Sequence, residues 1–449
     1  MTAAESGVLI IRQIHKVIKG KCPSLFKLMA ELTDHRKRRD YQVTELITGA
    51  IALFLFKETS RNSFNNDRCE QFKSNYFKIF RLRLPHMDTV DAFLRELSPN
   101  QLENLKAALV GGLIEQKVLH RFKLLGEYFT VAIDGTGVTS YEENDAGQTR
   151  LHKTHKNGKI SYTHYVVEAK LVSSSGLAIS LASEWVANEP GRSFNKQDCE
   201  QRAFERLALK LKKYFPRLPI CLLADGLYPN KTFMKTCKGN DWEFVVVLKD
   251  DNLKTLQEDI KDTESKNRHC TKIYDTCNKG KTHIEQNYQW ITAPLSHGIY
   301  TVHWLSCTET ITGKDKDGAD IDPKISRFVF LTSMEVDKKN VRNIAQAGRM
   351  RWKIENEGFN TQKHGGYELE HKYSRSTFAC FKNYYQCLQI AHMINQLVAH
   401  SQNIADMLGT NTKLTIKHLW KNLISVLKIL IIEDNDLALT NRSQVRLDG

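Results

Sequence analysis

The segment YFTVAID, residues 128–134, is the first of five strand-like runs that set the fold class. All five are rich in Val, Ile, Leu and aromatic residues, as buried strands are. The other four are YTHYVVEAKLVS (162–173), LAISLASEWVA (177–187), ICLLAD (220–225) and EFVVVLKD (243–250). Short loops join the first three, and helical segments precede the fourth and fifth. This order predicts a mixed five-stranded sheet flanked by helices, beginning with an antiparallel meander.

The rest of the chain divides around this sheet into helical and β-rich regions. In the N-terminal region, MDTVDAFLREL is a predicted helix capped by Asp88 or Thr89, and the asparagine-rich residues 61–68 are a predicted loop. A long helix is predicted over residues 339–364, before Gly365 and Gly366. The predicted regions are a helical N-terminal domain (1–125), a core in two parts (126–251 and 326–400), a β-rich insertion between these parts (252–325) and a helical C-terminal region (401–449).

Composition and charge narrow the class of protein. The 449 residues carry 65 Lys and Arg against 51 Asp and Glu, a formal net charge of +14. This excess favours a polyanionic partner such as nucleic acid over a merely solvated basic surface. None of the ten cysteines forms a CxxC pair, the N-terminus does not resemble a signal peptide, and the apolar run 46–56 is too short to span a bilayer. We therefore expect a cytoplasmic protein with free thiols.

Two aspartates stand at the ends of predicted strands. Asp134 closes the first run and Asp225 closes the fourth, and each is followed by glycine. A single Asp-Gly at a strand end is usually turn chemistry. In the predicted sheet, however, the first and fourth strands can lie side by side, which would place the two carboxylates together. Carboxylates at neighbouring strand ends are ligands suited to Mg²⁺. The pair therefore favours a site for metal-assisted phosphodiester chemistry.

A third acidic residue, Glu355, lies on the predicted long helix. Arg351 is four residues before it and Gln362 seven after, so an ideal helix places all three on one face. Glu357 is a rival carboxylate, roughly 200° away round the helix. One interpretation is a surface ion pair between Arg351 and Glu355. The other places Glu355 on a metal ion and Arg351 on a DNA phosphate.

These residues resemble the DDE transposases of bacterial insertion sequences, in particular the insertion sequence 4 family. The motifs that carry the resemblance are IDGTG, ADGLY and RWKIENEGFNTQKHGGY, and it covers residues 128–395. It implies an RNase H-like catalytic core and a metal-binding triad of Asp134, Asp225 and Glu355. It also implies Mg²⁺, with Mn²⁺ able to substitute, hydrolysis at the transposon ends and strand transfer into target DNA. A homodimer that pairs two double-stranded DNA ends, and DNA binding by residues 1–125, are further implications.

The glutamate helix of that family carries a Tyr-x2-Arg-x3-Glu-x6-Lys signature. Arg351 and Glu355 match it, whereas Gly348 and Gln362 stand at the tyrosine and lysine positions, with Lys363 next in the chain. The resemblance implies DNA contacts by Arg351 and Lys363, and we add the neighbouring Arg349.

Several residues outside the triad are also candidate DNA contacts. Lys153 and Lys156 lie in a basic loop suited to the DNA backbone. Trp290 and Trp304, in the insertion, are candidates for stacking on a flipped base, with core packing as the alternative. An auxiliary metal ligand is sought among Glu189, Asp198 and Glu200, although helix capping by Asp198 is the favoured interpretation.

Three functions fit these patterns. The leading prediction is an active, nucleoid-associated transposase that moves an insertion sequence by cutting and rejoining DNA. The second is an RNase H-like nuclease that cuts without joining strands. The third is a DNA-binding protein derived from a transposase and no longer catalytic, which the intact set of three carboxylates argues against.

Overall fold

A mixed sheet of eleven strands forms the centre of the computed structural model. The structure describes residues 3–191, 196–265, 270–279, 282–314, 320–410, 415–421, 423–437 and 447. The strands are β1 (Phe129–Tyr141), β2 (Leu151–Thr154), β3 (Ile160–Val172), β4 (Ala178–Val186), β5 (Ile220–Ala224), β6 (Glu243–Val247), β7 (Cys270–Lys279), β8 (Thr282–Ile291), β9 (Leu295–His297), β10 (Tyr300–Lys314) and β11 (Asp320–Thr332).

The five predicted strands are all present and form one continuous part of the sheet. Their spatial order is β4-β3-β1-β5-β6. The first three pair antiparallel, as the predicted meander requires. β5 then pairs parallel with both β1 and β6. The expectation that the first and fourth predicted strands are neighbours is therefore confirmed.

The sheet is larger than predicted because it continues through the expected insertion. β11 pairs antiparallel with β6, and β10, β8 and β7 follow in order. The predicted boundary at residue 325 falls inside β11, which pairs with β10 along its length and with β6 of the core through its last three residues. Only the end of this strand, RFVFLT (residues 327–332), is apolar, so its polar first half carries little strand signal in the sequence.

In the described part of the chain, seven α-helices precede the sheet. They are α1 (Ala3–Lys21), α2 (Leu25–Ala30), α3 (Val43–Leu55), α4 (Arg61–Asn66), α5 (Glu70–Phe80), α6 (Met87–Glu96) and α7 (Pro99–Glu115). The loop predicted over residues 61–68 is wrong, because the Ser60 hydroxyl accepts a hydrogen bond from the Ser63 amide and starts α4. The predicted cap of α6 is also wrong: the helix begins at Met87, and its N-cap is His86, whose ring accepts a hydrogen bond from the Asp88 amide.

The remaining helices cover the sheet or follow it. They are α8 (Glu200–Tyr214), α9 (Lys231–Gly239), α10 (Lys254–Ser265), α11 (Val341–Met350), α12 (Thr361–His364), α13 (Phe378–Ala399), α14 (Gln402–Thr410), α15 (Ile416–Lys421), α16 (Leu423–Ile429) and α17 (Asp434–Leu437). α13 is buried along nearly its whole length between the N-terminal helices and the sheet, although many of its buried side chains are polar. Among the described residues, no helix combines the length and apolar character needed to cross a bilayer.

The predicted long helix is interrupted by a π-helical stretch. Residues Ile354–Asn360, hereafter the π segment, separate α11 from α12, and Gly365 follows as expected. A π turn contains more residues than an α turn, so it rotates the side chains that follow it relative to those before it. The single face expected for Arg351, Glu355 and Gln362 is therefore not maintained.

Candidate functional site

Asp134 and Asp225 lie level with each other, just past the last paired residues of β1 and β5. Asp225 follows the end of β5 as predicted, whereas the prediction that Asp134 closes its strand is wrong, because β1 continues along β3 to Tyr141. The register of β1 and β5 pairs Val131 with Leu222 and Ala132 with Leu223. The same register carried two residues further places Asp134 level with Asp225. Their side chains are partly accessible, at 22% and 31% exposure. The register thus places the two aspartates on neighbouring strands at the same level of the sheet.

Asp134 sits in an environment that disfavours its charge. Its pKa is raised to about 6, mainly by burial and also by the negative charges of Glu200 and Glu355. Arg351 opposes this, since its Nη1 lies 3.2 Å from Oδ2 of Asp134. The Gly135 amide also donates to Oδ1 across 2.9 Å. Glu200 and Glu355 are consequently close enough for their charges to act on Asp134.

Asp225 is fixed by the turn that follows β5. Its Oδ1 accepts a hydrogen bond from the Leu227 amide at 2.8 Å, and Nζ of Lys249 lies 3.6 Å from Oδ2. The Lys249 stem crosses directly over Gly226, where a Cβ would lie 2.6 Å from its Cγ and Cδ. Gly226 therefore allows the lysine to reach the carboxylate.

Glu355, rather than Glu357, faces the aspartates. Glu355 is half-buried in the π segment and contributes to the raised pKa of Asp134. Glu357 instead pairs with Lys353 at 2.6 Å and packs near Gly176 in the β3–β4 turn. The structure thus separates the two candidate glutamates by their surroundings.

Glu200 is an acidic neighbour of Asp134 that the sequence did not single out. It is the first residue of α8, and its two carboxylate oxygens accept hydrogen bonds from the hydroxyls of Tyr165 (3.0 Å) and Tyr228 (2.7 Å). The favoured alternative, capping by Asp198, is wrong: Cys199 is the N-cap, and Asp198 binds Arg206 and the Ala187 amide. The acid at the start of a helix was visible in the sequence, whereas its tyrosine partners come from distant segments.

The three residues predicted to contact DNA from the glutamate helix are engaged with protein groups. Arg351 is buried against Asp134, with its guanidinium over the ring of Trp352. Both Nη atoms of Arg349 bind the carboxylate of Glu309, at 2.7 and 3.1 Å. Lys363 pairs with Glu370 at 3.1 Å. Their phosphate contacts stay predictions.

The remaining predicted DNA contacts divide into exposed and buried residues. Lys153 on β2 and Lys156 in the following turn are exposed. Strand β3 separates β2 from β1, the strand that carries Asp134. Trp290 and Trp304 are buried in the core, which contradicts base stacking in this arrangement and agrees with the packing alternative. The exposed indole near the acidic site is instead Trp352, at 54% exposure.

The donor set suits Mg²⁺. Among the described side chains, no group of three or more His, Cys, Asp or Glu stands close enough to form a metal site unaided. Mg²⁺ nevertheless binds through one or two carboxylates, with water and substrate phosphates completing its shell. Asp134 and Asp225 provide that pair, and the negative charge around Asp134 is what a cation would neutralise.

Comparison with known proteins does not identify the chain. No protein-family profile matches it, and a search of curated proteins finds no significant relative.

Proposed function

We propose that this protein is a DDE transposase that cuts and rejoins DNA at the ends of an insertion sequence. The observation that carries the proposal is the parallel pairing of β1 with β5, which brings Asp134 and Asp225 together. Three antiparallel strands followed by two parallel ones are the sheet expected of an RNase H-like core. The influence of Glu355 on Asp134 supports a third acidic member from a distant part of the chain.

The residues divide the chemistry between them. Asp134 and Asp225 would hold Mg²⁺ from neighbouring strands, with Glu355 completing the site from the π segment. When bound, Mg²⁺ activates the attacking hydroxyl and stabilises the leaving oxygen of an in-line displacement. Arg351 holds Asp134 in place and lowers its pKa, which keeps more of the carboxylate ionised. Each step from end cleavage to strand transfer is the same displacement, so one site serves them all.

Charge and exposed side chains support DNA as the substrate. The net charge of +14 favours a polyanion. Trp352 exposes an aromatic face near the carboxylates, and such faces stack on bases. Lys153 and Lys156 add accessible cations at the β2 side of the sheet. We further propose that two copies act together on paired DNA ends.

The test is incubation of the protein with DNA carrying the inverted repeats that flank its own coding sequence. With Mg²⁺ and a target plasmid, we expect free 3′-hydroxyl ends followed by joined products, and neither with Asp225→Ala. Cleavage without joining would instead identify a nuclease. DNA binding without any cleavage would identify a protein that is no longer catalytic.

A further inference from the structure

A buried ionic pair lies beneath the acidic site, on the strand next to Asp134. Glu168 and Lys170 of β3 are both 0% exposed, and Nζ of Lys170 lies 3.3 Å from Oε2 of Glu168. The hydroxyl of Tyr385 donates to the other carboxylate oxygen at 2.7 Å. β1 and β3 pair so that Glu168 stands opposite Asp134. Directly opposed residues of antiparallel strands point to the same face, so pair and site share one side of the sheet.

From Lys170, a chain of hydrogen bonds runs to the helix that carries Glu355. Lys170 donates to Oε1 of Gln389 on α13 at 2.7 Å. Gln389 and Gln362 exchange amide hydrogen bonds of 2.9 and 3.1 Å, and Gln362 also contacts Nδ1 of His392 at 3.1 Å. All of these side chains are buried. Gln362 occupies the position of the signature lysine, and here it faces the protein interior.

The π segment packs directly on the same lysine. A Cβ at Gly358 would lie 3.2 Å from Cδ of Lys170, and the Lys170 ammonium is 5.6 Å from the centre of the Phe359 ring. Further along α13, Gln396 donates a hydrogen bond to the backbone carbonyl of Glu357 and accepts one from the Ala178 amide. The π segment is thus connected to β3 and β4 at several points, and Glu355 lies within it.

Hydrophobic packing alone would not need this arrangement. Burying a lysine and a glutamate costs solvation free energy that apolar residues of the same size would avoid. Hydrogen bonds in a low-dielectric interior are directional, so side chains joined by several of them have few alternative placements. Its value is therefore in fixing where the π segment lies on the sheet.

We propose that Lys170, Gln389 and Gln362 are positioning residues that hold the π segment against β3 and thereby set the location of Glu355 relative to Asp134. The inference rests on the proposed function, since it takes Glu355 as a member of the metal site. It assigns Gln362 a role inside the protein that differs from DNA contact.

The chain offers a matched control for the test. Gln386 lies on α13 one turn before Gln389, is similarly buried, and donates to Ser183 rather than to the π segment. Gln389→Leu and Gln386→Leu are therefore the same substitution in the same helix. Gln362→Leu is a second variant that leaves the bond from Lys170 to Gln389 intact, and it serves if Gln389→Leu does not fold.

Two readouts separate positioning from general stability. We expect Gln389→Leu and Gln362→Leu to speed amide hydrogen exchange in residues 354–364, and to weaken Mn²⁺ binding measured by calorimetry about tenfold, as loss of groups that orient metal ligands does. Gln386→Leu should change neither. Equal effects of Gln389→Leu and Gln386→Leu would overturn the proposal, as would faster exchange without a change in Mn²⁺ affinity.

Neither hydrogen exchange nor Mn²⁺ binding depends on DNA cleavage, so the positioning proposal and the proposed transposase function can be refuted separately. Wild-type protein that binds Mn²⁺ but does not cut DNA would refute the transposase and leave the positioning result valid. Wild-type protein that binds no Mn²⁺ would overturn the positioning proposal itself.

Discussion

Arg351 donates a hydrogen bond to Asp134, with 3.2 Å between Nη1 and Oδ2. The guanidinium is buried, so the carboxylate supplies much of its compensation for lost hydration. The arginine that the family signature would direct to DNA is thus joined to the first acidic residue. Arg351 sets how readily that residue ionises, and with it how readily it accepts a metal ion.

The pH dependence of metal binding should report this pair. A proton competes with a metal ion for Asp134, and its raised pKa extends that competition up to about pH 6. Mn²⁺ affinity measured by calorimetry should therefore rise between pH 4 and 6 and level off above. Because Arg351 lowers the pKa of Asp134, Arg351→Gln should move the midpoint upward by about one pH unit. Arg349→Gln, which removes a partner of Glu309 instead, should leave it unchanged; a shift in both variants would contradict the assignment.

Glu200→Gln should act in the opposite direction. Glu200 raises the pKa of Asp134, so its neutral replacement should move the same midpoint to lower pH. We expect the variant to remain folded, because the glutamine oxygen can still accept a hydrogen bond from one of the two tyrosines. The lower pKa of Asp134 should then appear in the pH dependence of Mn²⁺ binding. Glu205→Gln, an exposed acid on the same helix, is the control. An unchanged midpoint in Glu200→Gln would show that its charge does not act on the site.

The tryptophans should separate DNA binding from stability. Trp352→Ala should weaken binding to DNA ends by about 1–3 kcal/mol, the value of one stacked base, with little effect on unfolding by urea. Trp304→Ala should instead lower the free energy of unfolding by about 3–5 kcal/mol, because it empties a buried site. Gel-shift and urea titrations on both variants check this. If Trp352→Ala and the wild type bind DNA with equal affinity, Trp352 does not contact DNA.

The packing around Gly348 leaves no room for the tyrosine of the family signature. A Cβ at this position would lie 2.5 Å from Cε1 of Phe330, which is buried in β11. Gly348→Ala should therefore lower the free energy of unfolding by about 1–3 kcal/mol through overpacking. Gly111, in α7, has open space where its Cβ would stand. Gly111→Ala should be neutral or stabilising by about 0.5–1 kcal/mol, since alanine favours the helix. Urea unfolding of the two variants measures the contrast, and a stable Gly348→Ala would contradict it.

The sequence was sufficient to predict five core strands and the adjacency of the first and fourth, which places Asp134 level with Asp225. Both followed from short-range information: apolar runs of strand length, turn residues between them, and helices before the fourth and fifth runs. Parallel strands must be connected by crossovers, so few arrangements of five strands were open. The central pairing of β1 with β5 is one of them.

The sequence alone does not show which residues from distant segments contact one another. Trp290 and Trp304 alternate with polar residues as exposed aromatics also do, and only the continuation of the sheet past β6 buries them. The π segment packs through Gly358 against Lys170, a residue far away in the chain. For the same reason, Glu200 could not be connected with Tyr165 and Tyr228 before the fold was known.

The most direct test of the account is to locate bound Mn²⁺ by anomalous scattering in crystals of the protein with its DNA ends. We predict a peak between the carboxylates of Asp134 and Asp225, within reach of Glu355, that is lost in Asp225→Ala crystals. A peak elsewhere on the chain, or none at these carboxylates in a protein that still cuts DNA, would contradict the claim that the three acids form one catalytic metal site.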